Sequence, residues 1–475
     1  MSVASPSRAH PLRGLALPRV RFRDAAIAVS ALAVALRGLA MAAYAPAFLG
    51  YPDTSFYVAV ANEGASEDPF RPGGYPVFLR AVHAFGITGT VLIQHVLGLA
   101  TAMLLFLIVR RLGGSQWVAL VPAAAVALCG SQVMIEHALL SEPLFAFLVA
   151  AALYACVRSL DDGIGWAVAA GMLLGAAVPV RLVALGLIPV AAIWLVLASP
   201  RRRLLVGLAF TVVAASIPAA WGAVNDFTRT GPYNFYGRVG PFADCHRFDP
   251  PSGTRMLCIK SPPDRRGSTY SFIFTGGSPA VAYFGHPQGY PEPTKDDVDR
   301  IRRFARAAAI GQPLDYVRTV AKDSFRYLAP EVWRPPPGDA TQMPEELNQY
   351  FTSSGWTGTA VRRSRAYYGG GVHPTANEPL LEALRVYERG TRFTGLAFVL
   401  VLLPALAAPF LLRGRARAGA LLLLLCGLAL LAVPVATIFY DYRFAIPALG
   451  ALATAGALGA GEIAGRVRAR QDGAA

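Results

Sequence analysis

The sequence predicts an all-α polytopic membrane protein: a bundle of about ten transmembrane helices with juxtamembrane helices and a small insert on its outer face. Three observations predict it. The first is composition. Of 475 residues, 54% are hydrophobic and only 15% charged, with a mean hydropathy of +0.43. A soluble domain carries about 25% charge, so a disordered regulator is excluded and an ordinary cytosolic enzyme disfavoured. The second is the spacing of apolar runs long enough for a bilayer core. They fall at about 25–46, 89–109, 116–135, 141–159, 164–181, 182–199, 203–223, 393–412, 418–439 and 443–463. The last is rich in Ala and Gly and is the weakest by hydropathy.

The third is where the arginines lie. The formal net charge is +15, and only Lys260, Lys295 and Lys322 among the 44 basic residues are lysine. With the Ala and Gly excess, that bias points to a GC-rich, bacterial source. Arg8, Arg13, Arg19, Arg21 and Arg23 precede the first span; Arg110 and Arg111 follow the second. Arg201, Arg202 and Arg203 follow the sixth, Arg413, Arg415 and Arg417 the eighth, and Arg466, Arg468 and Arg470 the tenth. Alternating spans put all of them on one face, which the positive-inside rule makes cytoplasmic. The charge is thus spent on topology, and no nucleic-acid partner is expected. The expected order is a cytoplasmic tail 1–24, spans one to seven within 25–223, an outer insert 224–392, spans eight to ten within 393–463, and a cytoplasmic tail 464–475. A cleaved signal peptide is the competing reading of the first run, but that run is long and contains Arg37.

No cytoplasmic loop is large enough for a nucleotide-binding domain, and no Walker, Rossmann, zinc-finger or HExxH pattern occurs. Chemistry is therefore expected outside, in the first outer loop, 47–88, and the insert. In that loop Asp53 follows the first span, and Phe56, Tyr57, Val60 and Ala61 recur at helical spacing behind it. A carboxylate held at fixed height can act as general base on an acceptor hydroxyl, although a helix cap or a solvated loop residue reads the same way. Arg71 opens Arg71-Pro-Gly-Gly-Tyr75-Pro76, a turn before an apolar helix; its guanidinium suits a phosphate or simple interfacial snorkelling. At the next outer corner stand Glu136, His137, Ser141 and Glu142. They fit a helix start with Ser141 as cap and Pro143 behind it better than a metal site, with Glu142 able to face the bundle. Arg181 and, in Tyr440-Asp441-Tyr442-Arg443, Arg443 are the charges nearest the outer ends of their spans. Such residues read as functional or as paired, for instance Arg443 with Asp441.

The insert is polar, with many Pro and Gly and little apolar material. Thr294 to Asp297 reads as a capped helix start, with a helix over 295–309 and a second from Pro313 to about 328. Val298, Ile301, Phe304 and Ala308 give it one greasy face, for the membrane surface or the bundle. Cys129, Cys156 and Cys426 lie in spans; Cys245 and Cys258 alone lie in the insert, where an oxidising outer face favours a disulfide.

Taken together, the motifs resemble the GT-C glycosyltransferases. Asp53-x-x-x-Tyr57-x-x-x-Ala61 resembles their first outer loop. RPGGYPVFL from Arg71 resembles the R-P-P-G-Y-P signature of the protein-mannosyltransferase and aminoarabinose-transferase (family 39-like) branch. LLSEPLFAFL around Glu142 and DYRFAIPALG around Arg443 resemble two further motifs of that branch, and the helices about Gly311-Gln-Pro313 its outer segment. The resemblance implies a GT-C-like bundle that transfers a sugar from a polyprenyl phosphate to an acceptor outside the membrane (an envelope glycan, lipid or protein), with inversion. Asp53 would be the base; Tyr57, Arg71, Tyr75, Glu142, Arg181, Tyr442 and Arg443 would bind substrate or phosphate. Many relatives have Asp-Glu where this chain has Asp53-Thr54, so no metal site is assigned and no cofactor beyond the lipid-linked donor is expected. A secondary transporter or flippase is the alternative; it would show repeated halves, which are not evident.

Overall fold

A computed structural model of the chain describes residues 20–64, 71–225, 230–267, 269–274, 277–285, 293–329 and 357–473. Phe70 and most of the N-terminal basic tail lie outside the described residues. α1 (Phe22–Ala43) leads through a two-residue strand, Tyr44–Ala45, to α2 (Pro52–Asn62), α3 (Gly74–Ala81) and the long α4 (Gly86–Arg111). α5 (Gln116–Ala127) and α6 (Gly130–Glu136) follow as a pair bent by 54°. Then come α7 (Glu142–Asp162), α8 (Ile164–Ala177), α9 (Leu187–Ala198) and α10 (Arg203–Val224).

The first part of the insert carries, among the described residues, α11 (Thr230–Val239), α12 (Thr269–Phe274), α13 (Pro279–Phe284), α14 (Lys295–Gly311) and α15 (Pro313–Phe325). α16 (Thr357–Tyr368) and α17 (Glu378–Thr391) lead to α18 (Gly395–Leu411), α19 (Gly414–Thr437) and α20 (Ala445–Asp472). Between α16 and α17, Thr375–Ala376 pairs antiparallel with Tyr44–Ala45.

Each of the ten apolar runs falls on helix, but they are unequal. Among the described residues six helices are long and apolar enough to cross a membrane, or eight if α5–α6 and α17–α18 each count as one bent span. α8 and α9 have 14 and 12 residues, and at 1.5 Å per residue fall short of a hydrocarbon core about 30 Å thick. The chain is a multi-pass helical membrane protein. Its weakest run by hydropathy proves the most enclosed: 89% of the α20 window is buried, against 22% for α1. Ala and Gly let neighbouring backbones approach, as where a Cβ on Gly456 would sit 2.7 Å from the Val401 carbonyl. α1 spends its hydrophobicity on its surroundings, whereas α20 is built for close packing.

The insert differs from the apolar-poor cap expected. Tyr233, Tyr236, Phe272, Ile301 and Phe304 form a buried core of its own. Thr294 and Asp297 close a reciprocal capping box at the start of α14, whose Val298, Ile301, Phe304 and Ala308 are buried within the insert. α15 stops at Phe325 and continues as a 3-10 turn to Leu328. Tyr316 donates to the Ala436 carbonyl (2.9 Å), seating the insert on the end of α19. Cys245 and Cys258 are joined in a disulfide, while Cys129, Cys156 and Cys426 are free and buried. Unfolded protein should therefore titrate three thiols before reduction and five after it; five before reduction would contradict the bridge.

Candidate active site

α2 places the site. Pro52 occupies its first turn, where a missing N–H costs nothing, and Asp53 follows it. α3 is pressed against the turn before Arg181: Gly74 N–H donates to the Pro179 carbonyl at 2.8 Å. A Cβ on Gly74 would lie 2.5 Å from that carbonyl's carbon and oxygen, so the second glycine of the RPGGYP run is the one that permits the approach. The result brings Arg71, Arg181 and, from the start of α20, Arg443 around Asp53.

Asp53 does not cap α2. Its Oδ1 accepts from Arg71 Nε at 2.7 Å, with Arg71 Nη2 also in contact, and its Oδ2 accepts from Arg443 Nη1 at 2.7 Å. Arg443 Nε pairs with Asp441 (3.0 Å), and its Nη1 stands 3.5 Å from Glu142. Glu142 in turn takes Arg181 Nη1 at 2.6 Å. Three guanidinium groups and three carboxylates thus alternate in one connected cluster of balanced formal charge. It is shielded but not sealed, since the Asp53, Arg71 and Arg443 side chains keep 17%, 13% and 13% of their exposure. Aromatic faces line it: Arg71 lies 4.4 Å over Phe56 and Arg443 4.7 Å over Tyr51.

Burial alone would raise the Asp53 carboxyl. The Arg71 and Arg443 charges and hydrogen bonds outweigh it and hold the group well below the usual carboxylate range. Asp53 is thus ionised and, so clasped, a poor proton acceptor. The Tyr57 hydroxyl, buried near Asp53 and Glu142, is pushed up to about 12 and stays a neutral donor, to Ser141 Oγ at 3.1 Å.

The structure thus gathers Asp53, Tyr57, Arg71, Glu142, Arg181 and Arg443. Tyr75 joins it only through its ring, packed edge-on against Tyr57 at 4.8 Å, and Tyr442 lies apart from it. Tyr75 is fully buried and donates to Gln94 (2.6 Å). Tyr442 is 1% exposed and turned toward Ser131 (2.8 Å), which donates to Glu388. The resemblance alone assigns both tyrosines to the site, and their hydrogen-bond partners stand 19 and 311 residues away in the chain. Ser141 makes no capping bond, because its hydroxyl accepts from Tyr57 and Arg181 instead. Glu136 and Glu142 face different partners, Arg37 and Arg181. Among the described residues no group of three His, Cys, Asp or Glu could hold a metal ion. Sequence reasoning missed Arg363 on α16, which donates to the Ser55 carbonyl (3.1 Å) and lies 5.5 Å from Phe56. Its arginine-rich helix carries no motif that would have marked it.

Residues 77–221 match the family model described as dolichyl-phosphate-mannose-protein mannosyltransferase. No match was found among curated proteins. Among solved structures, the chain is similar to the Archaeoglobus fulgidus oligosaccharyltransferase tethered to an acceptor peptide (12% identity, TM-score 0.44, 90% of this chain and 49% of that one). It is also similar to the oligosaccharyltransferase AglB from Archaeoglobus fulgidus with an inhibitory peptide and a dolichol-phosphate (13%, 0.42, 91% and 50%). A third is ArnT from Cupriavidus metallidurans bound to undecaprenyl phosphate (15%, 0.35, 92% and 78%). The chain spans about half the length of the two archaeal proteins.

The clasp has a measurable consequence. A carboxyl depressed in the folded state contributes stability that is complete above its ordinary value of 3.8 and is lost as pH falls through the lower folded value. Asp53→Asn should therefore cost about 1–3 kcal/mol at neutral pH by leaving two guanidinium groups without their shared partner. The difference from native protein should shrink only below about pH 4. Acid unfolding of both proteins checks this, and equal stability at pH 7 would contradict it. Residues 77–221, less than a third of the chain, are thus similar to the protein mannosyltransferases, the branch that the motifs resemble.

Proposed function

We propose that the chain is an integral membrane glycosyltransferase that moves a sugar from a polyprenyl-phosphate donor to an extracytoplasmic acceptor hydroxyl. The observation that carries this reading is Asp53 held between Arg71 and Arg443, beside Arg181, at the end of the bundle. A polyprenyl tail belongs in the bilayer, and its phosphate then arrives where three guanidinium groups already stand. That phosphate competes with Asp53 for Arg71 and Arg443. As they turn to it, Asp53 loses the charges that depress it and becomes a competent base.

The step then balances. Asp53 takes the proton of the acceptor hydroxyl, whose oxygen forms a bond to the anomeric carbon. The bond from that carbon to the phosphate oxygen breaks on the opposite face, which inverts the centre. Arg71, Arg443 and Arg181 stabilise the charge that gathers on the leaving polyprenyl phosphate. Acceptor and sugar are left open by the residues at hand; an envelope glycan, lipid or protein fits an outward-facing site.

The arginine distribution supports cytoplasmic termini, the insert outside and the cytoplasmic membrane of a bacterium as the location. The Cys245–Cys258 disulfide supports the same side for the insert, since such bonds persist in oxidising surroundings.

The test is transfer from labelled polyprenyl-phosphate sugars by the purified chain in lipid nanodiscs. Asp53→Asn should lower turnover by about 10²–10⁴, the usual share of a general base. Arg71→Ala should raise the donor concentration needed for half-maximal rate. Turnover of Asp53→Asn within a few-fold of native would remove Asp53 from its role.

A further inference from the structure

A second polar cluster lies beside the site, fully buried. Glu136, the last residue of α6, accepts from Arg37 Nη2 on α1 (2.9 Å) and from Gln132 Nε2 (2.9 Å), and its Oε2 faces His95 Nδ1 on α4 at 3.0 Å. His95 Nε2 stands 3.2 Å from His137 Nδ1, and His137 Nε2 stands 2.6 Å from the Tyr44 carbonyl oxygen. A carbonyl only accepts, so His137 donates from Nε2, and as a neutral ring it accepts at Nδ1. His95 then donates from Nε2; these roles are assigned from the partners. Charged groups enclosed in a membrane bundle are costly to unpair, so such a cluster locks its members' relative positions.

What it locks leads to Asp53. The segment from Glu136 to Glu142 is buried along its length. Gln94 Nε2 donates to the carbonyls of Glu136 (2.9 Å) and Ala138 (2.6 Å). Phe48 N–H donates to the His137 carbonyl, Thr54 Oγ1 to that of Leu139, and Tyr57 to Ser141 Oγ. Thr54 and Tyr57 lie on α2 beside Asp53, and Glu142 ends the segment on Arg181. The space for the Glu136 carboxylate comes from Gly98 on α4, where an added Cβ would fall on its oxygens.

We propose that Arg37, His95 and Glu136 form a positioning device for the transfer reaction, acting through the segment 137–141 to set α2 and Glu142 against the arginine cluster. Its turnover arm rests on the transferase reading; its structural arm does not. The test is a rescue cycle on the full chain in nanodiscs. Gly98→Ala should lower kcat at least tenfold while the donor KM stays within twofold. It should also speed amide hydrogen exchange in peptides covering 44–58 and 137–142, but not in 414–437. Glu136→Asp retracts the carboxylate from the added methyl, so combining it with Gly98→Ala should restore most of both. Gln94→Leu, which removes two donors to the segment, is the second variant and should act like Gly98→Ala even if that protein does not fold. Faster exchange throughout the chain, or the absence of rescue, would overturn the device and leave an ordinary packing defect. Native protein that shows no transfer from any donor, yet gives the localised exchange response, would sink the transferase reading and keep the device.

Discussion

The carboxylate of Asp53 between the guanidinium groups of Arg71 and Arg443 is the interaction on which the site depends. It joins the start of α2, the turn before α3 and the entry to α20, segments up to 390 residues apart in the chain. Asp441, Glu142 and Arg181 extend it into a neutral alternation of charges. In that state the arginines are assembled and Asp53 is ionised but restrained. On the proposed reading a donor phosphate needs the same guanidinium groups, so donor entry and release of the base would be one exchange of partners. The proposed site would thereby exclude premature chemistry through the same contacts that recognise the leaving group.

A membrane bundle constrains how such a site is supported. Backbone groups without a helical partner cannot be left dry. The irregular segment between α6 and α7 meets this by taking donors from Gln94, Thr54 and the Phe48 amide. Its polar residues look expensive one at a time, but they satisfy one another. The same economy explains α20, where small residues give up hydropathy for close contact with α18 and α4.

Apolar run length and arginine placement are local properties, so the helical segments were legible from the sequence. Asp53, Glu142, Arg181 and Arg443 stand out in the sequence as charges near the ends of apolar runs, and Arg71 as the start of a Pro/Gly turn before an apolar helix. The pairing was only partly so. Asp441 was available to Arg443 two residues away, but nothing in the sequence says that Arg37 meets Glu136 across 99 residues. Tyr75 and Tyr442 enter the site reading through the resemblance alone, and their hydrogen bonds to Gln94 and Ser131 on other helices are not legible from the sequence. The bent and short helices were read as full spans because hydropathy windows do not register a break such as that between α5 and α6.

The central claim is that Asp53 and a lipid phosphate compete for one pair of guanidinium groups. The direct measurement is the affinity of polyprenyl phosphate, without sugar, for native protein and for Asp53→Asn at neutral pH. Removing a competing carboxylate charge should tighten binding by about tenfold or more, the equivalent of about 1.4 kcal/mol. Weaker binding by Asp53→Asn would mean that the carboxylate holds the arginines ready rather than contending for them, and would contradict the account.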